Sequence, residues 1–269
     1  MNSAVMRAIK CIHERYCEPL TITDLASSAI LSKHHFCRTF SRATGVSPGR
    51  FLSAVRIYQA KRLLLSTSMN VTDISFAVGF SSLGSFTNHF TDSVGVSPGR
   101  FRRMTQHDDL ELFSPPYPAP SPAGRVAGTI TLPKGYAIAS VYVGVFQSPI
   151  LQGRPSATAV LPIRSLGRLQ GYDLQVPTGE WFIHAVAVAD TIDPEPWNRR
   201  VLLVARNGPV PAKDGAMTRV AISLRPVSPT DLPILFALPD LEAMVDQISV
   251  TGELDGPVDA SVIDSAGAA

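Results

Sequence analysis

Gly45-Val46-Ser47-Pro48-Gly49-Arg50-Phe51 recurs without change as Gly95-Val96-Ser97-Pro98-Gly99-Arg100-Phe101. An identical heptapeptide at a fixed offset marks a duplicated unit. The duplication extends backwards. Phe36 and Phe40 precede the first copy at the spacing with which Phe86 and Phe90 precede the second. Farther upstream, Asp24-Leu25-Ala26 corresponds to Asp73-Ile74-Ser75, with one extra residue in the second copy. The fold therefore turns on what a unit of about fifty residues, built twice, can form.

Each copy predicts two short helices around a tight turn, followed by a third, capped helix. In the first copy Thr21 reads as an N-cap and Asp24 as its capping-box partner, with Leu25 and Ala26 facing inward. The run Ser28–Leu31 breaks the pattern, and Ser32 is placed to cap a helix through Ala43. Phe36, Phe40 and Ala43 form its apolar stripe, so one face packs and the other is free. Gly45 ends that helix as a C-cap. Ser47 caps the next, with Pro48 at the first helical position, where a missing N–H costs nothing. This helix is expected from Pro48 to Leu65, burying Phe51, Val55, Leu63 and Leu64. The second copy repeats the plan: an Asn70 cap, Ile74 and Ala77 inward, a turn at Gly79-Phe80, a Ser82 cap, Phe86 and Phe90, Gly95, then Ser97-Pro98.

Two helices around a tight turn, the second with a polar, partly basic outer face, is the helix-turn-helix plan. Its second helix enters the major groove of DNA, which is about 12 Å wide. A duplicated helical bundle with no such role would not need the charge distribution seen here. Residues 1–104 hold 13 Lys and Arg against 5 Asp and Glu, whereas residues 105–269 hold 11 against 17. The small net charge of +2 thus hides a basic half and an acidic half, as expected of a nucleic-acid-binding module joined to something else.

The stretch Ile74-Ser75-Phe76-Ala77-Val78-Gly79-Phe80-Ser81-Ser82-Leu83-Gly84-Ser85-Phe86, continuing to Phe90, Gly95, Pro98 and Phe101-Arg102, resembles the signature of the AraC family of transcription regulators. Pro19-Leu20-Thr21 before the first unit and Arg56, Ala60, Leu63 and Leu64 in the linking helix fit the same family. The resemblance covers residues 1–104 almost end to end. It implies an all-α domain of seven helices, with two helix-turn-helix units held by the long fourth helix. It also implies sequence-specific binding of double-stranded promoter DNA in successive major grooves, usually to recruit RNA polymerase and sometimes to repress.

The first recognition helix is then Ser32-Lys33-His34-His35-Phe36-Cys37-Arg38-Thr39-Phe40-Ser41-Arg42, with Phe36 and Phe40 in the core. His34, Cys37 and Arg38 match positions that read bases in the family. A guanidinium such as that of Arg38 pairs in bidentate fashion with guanine O6 and N7. Ser32, Lys33 and Arg42 complete this surface, the two cations as phosphate contacts. The second recognition helix offers Ser82, Leu83, Gly84, Ser85, Thr87 and Asn88, the last where many family members carry Arg or Lys. Leu83 suits a thymine methyl and Asn88 an adenine edge. This surface is poor in charge and contains Asp92, so the first unit is expected to dominate affinity. Ile30 is a departure, standing in the first turn where many members have Gly. A left-handed backbone there would strain it by roughly 1–2 kcal/mol, unless the turn takes another geometry.

Cys11, Cys17 and Cys37 all lie in the helical half, and an odd number with no signal peptide predicts a reduced, cytoplasmic, nucleoid-associated protein. His13 with Cys17, and His34 and His35 with Cys37, are spaced for metal ligation, but the Cys-x-x-Cys of a structural zinc site is missing, so neither metal nor cofactor is expected. Cys37 reads as a DNA-contacting thiol or a redox switch. No apolar run reaches the ~18 residues of a membrane helix.

Thr105–Pro122 carries Pro115, Pro116, Pro118, Pro120 and Pro122, and reads as an extended linker over residues 105–123. Residues 124–250 then change character. Val126–Leu132, Ala139–Phe146, Ala157–Leu161, Tyr172–Val176, Trp181–Ala189, Val201–Ala205 and Thr218–Leu224 are short β-rich runs, and predict an antiparallel β-sandwich. Trp181–Ala189 is apolar on both faces, so it is expected in the centre of a sheet. The segment Leu169–Trp181 resembles the hairpin of carboxypeptidase-regulatory-like or transthyretin-like sandwiches. Pro239–Gln247 reads as a short helix and Thr251–Ala269 as an acidic flexible tail. With one histidine, His184, and no cysteine after residue 123, no catalytic constellation can be assembled, so no enzyme is expected. Two roles remain open for it. One is a sensor taking a small apolar effector near Phe146, Tyr172, Trp181 or Trp197; the other is an interaction module that pairs protomers as a homodimer or touches polymerase.

Overall fold

In the first half, caps and glycines set the helix ends. The computed structural model describes residues 3–104, 123–133, 137–153, 155–162, 170–190 and 200–235. The Pro-rich linker, Trp197, the 239–247 helix and the 251–269 tail lie outside the described residues. Helices α1 (Ser3–Arg15), α2 (Ile22–Ala29), α3 (Lys33–Thr44), α4 (Pro48–Ser66), α5 (Val71–Ala77), α6 (Leu83–Val94) and α7 (Pro98–Met104) follow in order. Thr21 and Asp24 form the expected capping box, Oγ1 of Thr21 accepting from the Asp24 N–H while the carboxylate accepts from the Thr21 N–H. Ser47, Asn70 and Ser82 cap α4, α5 and α6 through side-chain oxygens. Ser32 stands at the N-cap of α3 but makes no capping bond. The buried stripe of α3 is Phe36, Phe40 and Thr44, four residues apart, so Ala43 of the expected stripe faces solvent. The Thr44 hydroxyl can be buried because it donates to the Phe40 carbonyl. In α5 the buried pair is Ile74 and Ser75, with Ala77 outside.

The duplication is visible in the core. Phe40 meets Phe36 and Phe51 with ring centroids 5.4 Å apart in each case. Phe90 meets Phe86 at 5.6 Å and Phe101 at 5.7 Å. Tilted and edge-on rings at this spacing are favourable beyond the area they bury. The third residue of each trio belongs to the repeated heptapeptide, so the repeat supplies both a cap and a core ring. The long α4, about 28 Å at 1.5 Å per residue, holds the two trios in one contiguous core.

The two turns differ in chemistry but not in path. Ile30 ends α2 with φ 58° and ψ 47°, and the Leu31 N–H reaches back to the Ala26 carbonyl. Gly79 ends α5 with φ 88°, and the Phe80 N–H reaches the Ser75 carbonyl. The first turn therefore keeps the left-handed geometry and strains its β-branched residue. Ile30 is 76 % exposed, so little burial offsets that strain. Ile30→Gly is expected to stabilise the protein by about 1 kcal/mol. Gly79→Ala should destabilise by more, because a Cβ there would stand 2.8 Å from the Cys17 carbonyl oxygen. Urea titration of the two variants checks both signs.

In the second half, strands β1 (Ala123–Thr131), β2 (Ala137–Phe146), β3 (Ala157–Pro162), β4 (Gln170–Pro177), β5 (Gly179–Asp190), β6 (Arg200–Ala212), β7 (Met217–Arg219), β8 (Ile222–Ser223) and β9 (Arg225–Pro226) form two sheets. One has the order β3-β2-β5-β6-β9 and is antiparallel throughout. The apolar β5 lies inside it, as its two-sided pattern predicts. The other has the order β4-β1-β7, with β8 also beside β1. Here β1 pairs antiparallel with β4 but parallel with β7 and β8, so the expectation of a wholly antiparallel architecture is corrected. The expected single strand 218–224 is broken at Val220, whose carbonyl passes so close to Gly128 that a Cβ there would sit 1.9 Å from it. The expected hairpin at 169–181 is also corrected. Its arms β4 and β5 belong to different sheets, and the chain crosses between them at Pro177-Thr178-Gly179. Val126, Ile130 and Leu174 of one sheet and Val143, Ile183 and Leu203 of the other share one buried cluster.

The helical and sheet halves fall within one compact unit, residues 1–237, and the second unit, 238–269, lies outside the described residues. Ile150 and Leu235, both from the sheet half, are buried in the helical core. The Gly153 N–H donates to the Ser93 carbonyl at 2.7 Å, and the Leu235 N–H to that of Leu151 at 3.2 Å.

Candidate nucleic-acid interface

Helix α3 exposes Lys33, His34, Arg38 and Arg42 on the face opposite Phe36 and Phe40. Ser32 is exposed at its start, and Cys37 is half-buried at the rim of the helical core. Residues four positions apart share a helix face, so His34, Arg38 and Arg42 form one exposed row, with Lys33 and the half-buried Cys37 in the row beside it. On α6, Ser82, Leu83, Gly84, Ser85 and Asn88 are exposed and Thr87 is half-exposed. That strip holds no cation, and Asp92 at its far end is exposed as well. The contacts from the sheet half reach the other ends of these helices. Arg206 lies against Gly45, and Gly153 against Asp92 and Ser93. The first turns of α3 and α6, where base-reading residues stand in helix-turn-helix proteins, are thus clear of them.

Several cations of the basic half are structural. Arg7 donates to the Ser28 and Ala29 carbonyls at the end of α2. Arg56 donates to the Tyr16 and Glu18 carbonyls, both at 2.7 Å. Arg102 donates to the Leu64 and Met69 carbonyls around the end of α4. Each places a guanidinium on carbonyls at or just past the end of a helix, where a cation complements the negative end of the helix dipole. Lys61 is buried with its ammonium 5.2 Å from the centre of the Phe101 ring. The charge count thus overstates what faces outward, and Arg50 and Arg100 at the starts of α4 and α7 remain exposed alongside the α3 strip. Their backbone N–H groups donate to the Ser47 and Ser97 hydroxyl oxygens, both at 3.4 Å.

No group of three or more metal-ligating side chains occurs among the described residues. Among those residues, no helix is long and apolar enough to cross a membrane. Of the aromatics that the sequence offers as effector contacts, Phe146, Tyr172 and Trp181 are buried in the sheet half. The Tyr172 hydroxyl donates to the Val220 carbonyl, the Trp181 indole to that of Pro177, and Phe146 stands edge-on to His184. All three are engaged in packing, and the one cavity described below is lined by other side chains.

Residues 25–104 match the family described as "Helix-turn-helix domain". The lactose operon transcription activator of Staphylococcus xylosus is 30 % identical over 102 residues, 38 % of this chain and 37 % of the relative. The uncharacterized HTH-type transcriptional regulator YobQ of Bacillus subtilis is 35 % identical over 108 residues, 40 % of this chain and 45 % of its own. Among solved structures, the DNA-binding domain of AdpA in complex with a target DNA is 27 % identical, covers 40 % of this chain and 96 % of that one, with a TM-score of 0.38. The chain spans less than half the length of the curated relatives named here. Residues 25–104 thus carry a helix-turn-helix domain, and the relatives are named as a transcription activator and a transcriptional regulator.

Proposed function

We propose that the protein is a sequence-specific regulator of transcription that binds promoter DNA through α3 and α6 in successive major grooves. The observation that carries this reading is the exposed strip Lys33, His34, Arg38 and Arg42, set on a helix whose other face is locked by a phenylalanine trio. In it Arg38 reads a guanine, Ser32, His34 and Cys37 touch neighbouring bases, and Lys33 and Arg42 meet phosphates. The weaker strip of Ser82, Leu83, Gly84, Ser85, Thr87 and Asn88 fixes register in the next groove. Residues 1–104 are the DNA-binding domain, and RNA polymerase is the partner recruited. The sheet half, beginning after the linker 105–123, is a β-sandwich that senses a small molecule and carries no catalysis. The buried cluster common to both sheets supports the sandwich, and the burial of Ile150 and Leu235 in the helical core supports a coupled sensor.

Competition binding against a DNA library tests the reading. Arg38→Ala should weaken specific binding by about 1–3 kcal/mol and relax preference at one base pair. Arg42→Ala should weaken all sequences alike and make the slope of log affinity against log salt shallower by about 0.9. An unchanged base preference in the Arg38 variant would remove that residue from the reading surface. A full chain that shows no salt-dependent binding to any duplex would end the proposal.

A further inference from the structure

We propose that the cleft between β6 and the 231–234 return is a binding site for a small carboxylate with a compact apolar body, anchored by the Arg206 guanidinium. The inference rests on the reading of the sheet half as a sensor and names the chemical class it takes. The cleft encloses about 310 Å³, at the lower end of the range that small ligands occupy. Val186, Val204, Leu151 and Leu232 give it apolar walls. Its polar groups do not cancel. Arg225 is held by Asp231 through two bonds of 2.6 and 2.7 Å, a neutral pair. His184 is buried, with Nε2 at 3.2 Å from the Ser148 carbonyl, and burial keeps the ring neutral near pH 7. Arg206 also lines the cleft and donates to the Pro149 carbonyl at 3.3 Å, and no carboxylate among the described residues forms a salt bridge with it. Asp231 is thus the one carboxylate facing two guanidiniums, Arg225, which it binds directly, and Arg206, which feels its charge, and the lining keeps one net positive charge over an apolar floor that selects one carboxylate.

The site shares its wall with the helical half. Along 149–151, Pro149 and Leu151 line the cleft while Ile150 between them is buried in the helical core. Leu232 lines the cleft and packs against that core. Arg206 itself lies against Gly45, which ends α3. A carboxylate on Arg206 competes for this guanidinium with the negative end of the α3 dipole. Occupancy therefore changes how the sheet half holds a recognition helix.

Calorimetry on the full chain with benzoate and hexanoate, and with benzamide, hexanamide and inorganic phosphate as controls, tests the site. The carboxylates should bind with Kd of about 1 mM or tighter, and the amides at least about tenfold more weakly. Arg206→Gln should weaken carboxylate binding about tenfold or more, with Arg206→Lys in between. No carboxylate binding at about 10 mM, amides binding as well as acids, or an unaffected Arg206→Gln variant would each overturn the site. Phosphate binding as tightly as benzoate would overturn the apolar body. Promoter affinity with and without benzoate separates this from the wider reading. A carboxylate that binds and shifts DNA affinity supports both, and one that binds without effect keeps the site and removes sensing from the function. Absent carboxylate binding with intact DNA binding overturns the site alone.

Discussion

Replacing Phe90 with alanine is expected to lower the stability of the chain by about 3–5 kcal/mol, the range for a fully buried phenylalanine. Phe90 has no exposed surface and touches both Phe86 and Phe101. Removing its ring opens a hole bounded by two rings that belong to different helices, α6 and α7, so neither can follow without pulling its helix. Small collapses are therefore closed off, and the cost sits high in the range. The equivalent Phe40→Ala should cost a similar amount, since Phe40 is equally buried between Phe36 and Phe51. Phe76, 55 % exposed on α5, is the control, and its alanine variant should change stability by no more than about 0.5 kcal/mol. Urea unfolding with matched slopes measures all three. A loss below about 1 kcal/mol for Phe90→Ala would mean that the repeated rings do not form a tight core.

Acidification from pH 6.5 towards 4 is expected to remove stability on the order of 2–3 kcal/mol through His184 alone. Burial depresses this imidazole to about 4, and the nearby Arg206 charge acts in the same direction, against the bond to the Ser148 carbonyl. In the unfolded chain the group takes up its proton near pH 6.5. Between those values the unfolded state binds more protons than the folded one, so stability rises with pH and falls on acidification. The contribution is complete above the unfolded value and has gone by the folded one. Carboxylates held low by their partners, such as Asp231 beside Arg225 and Asp24 in its capping box, act below this window. Thermal unfolding followed across pH should show the slope, and His184→Leu should flatten it between 6.5 and 4. An unchanged slope in that variant would place its origin elsewhere.

The sequence by itself determined the helical half. Caps, C-terminal turns and the four-residue stripes of phenylalanine act within one or two helical turns, so their meaning does not depend on distant residues. Even the strain at Ile30 was legible, because the turn it shares with Gly79 is defined by bonds three and five residues long. The groups of the exposed strip on α3 were legible for the same reason, as one face of an amphipathic helix. What the tertiary structure decided is where chain segments far apart in sequence meet. Arg56 and Arg102 reach carbonyls 33 to 40 residues away, so part of the charge counted in the basic half is engaged inside the domain. β7 and β8 lie parallel to β1, and β4 and β5 part into different sheets, because a short apolar run specifies a buried strand but not its neighbour or direction. Ile150 and Leu235 look in sequence like ordinary loop residues, yet they close the helical core. Arg206 carried no signal at all until packing set it between a cleft and the end of α3, since a lone arginine acquires a role only from what surrounds it.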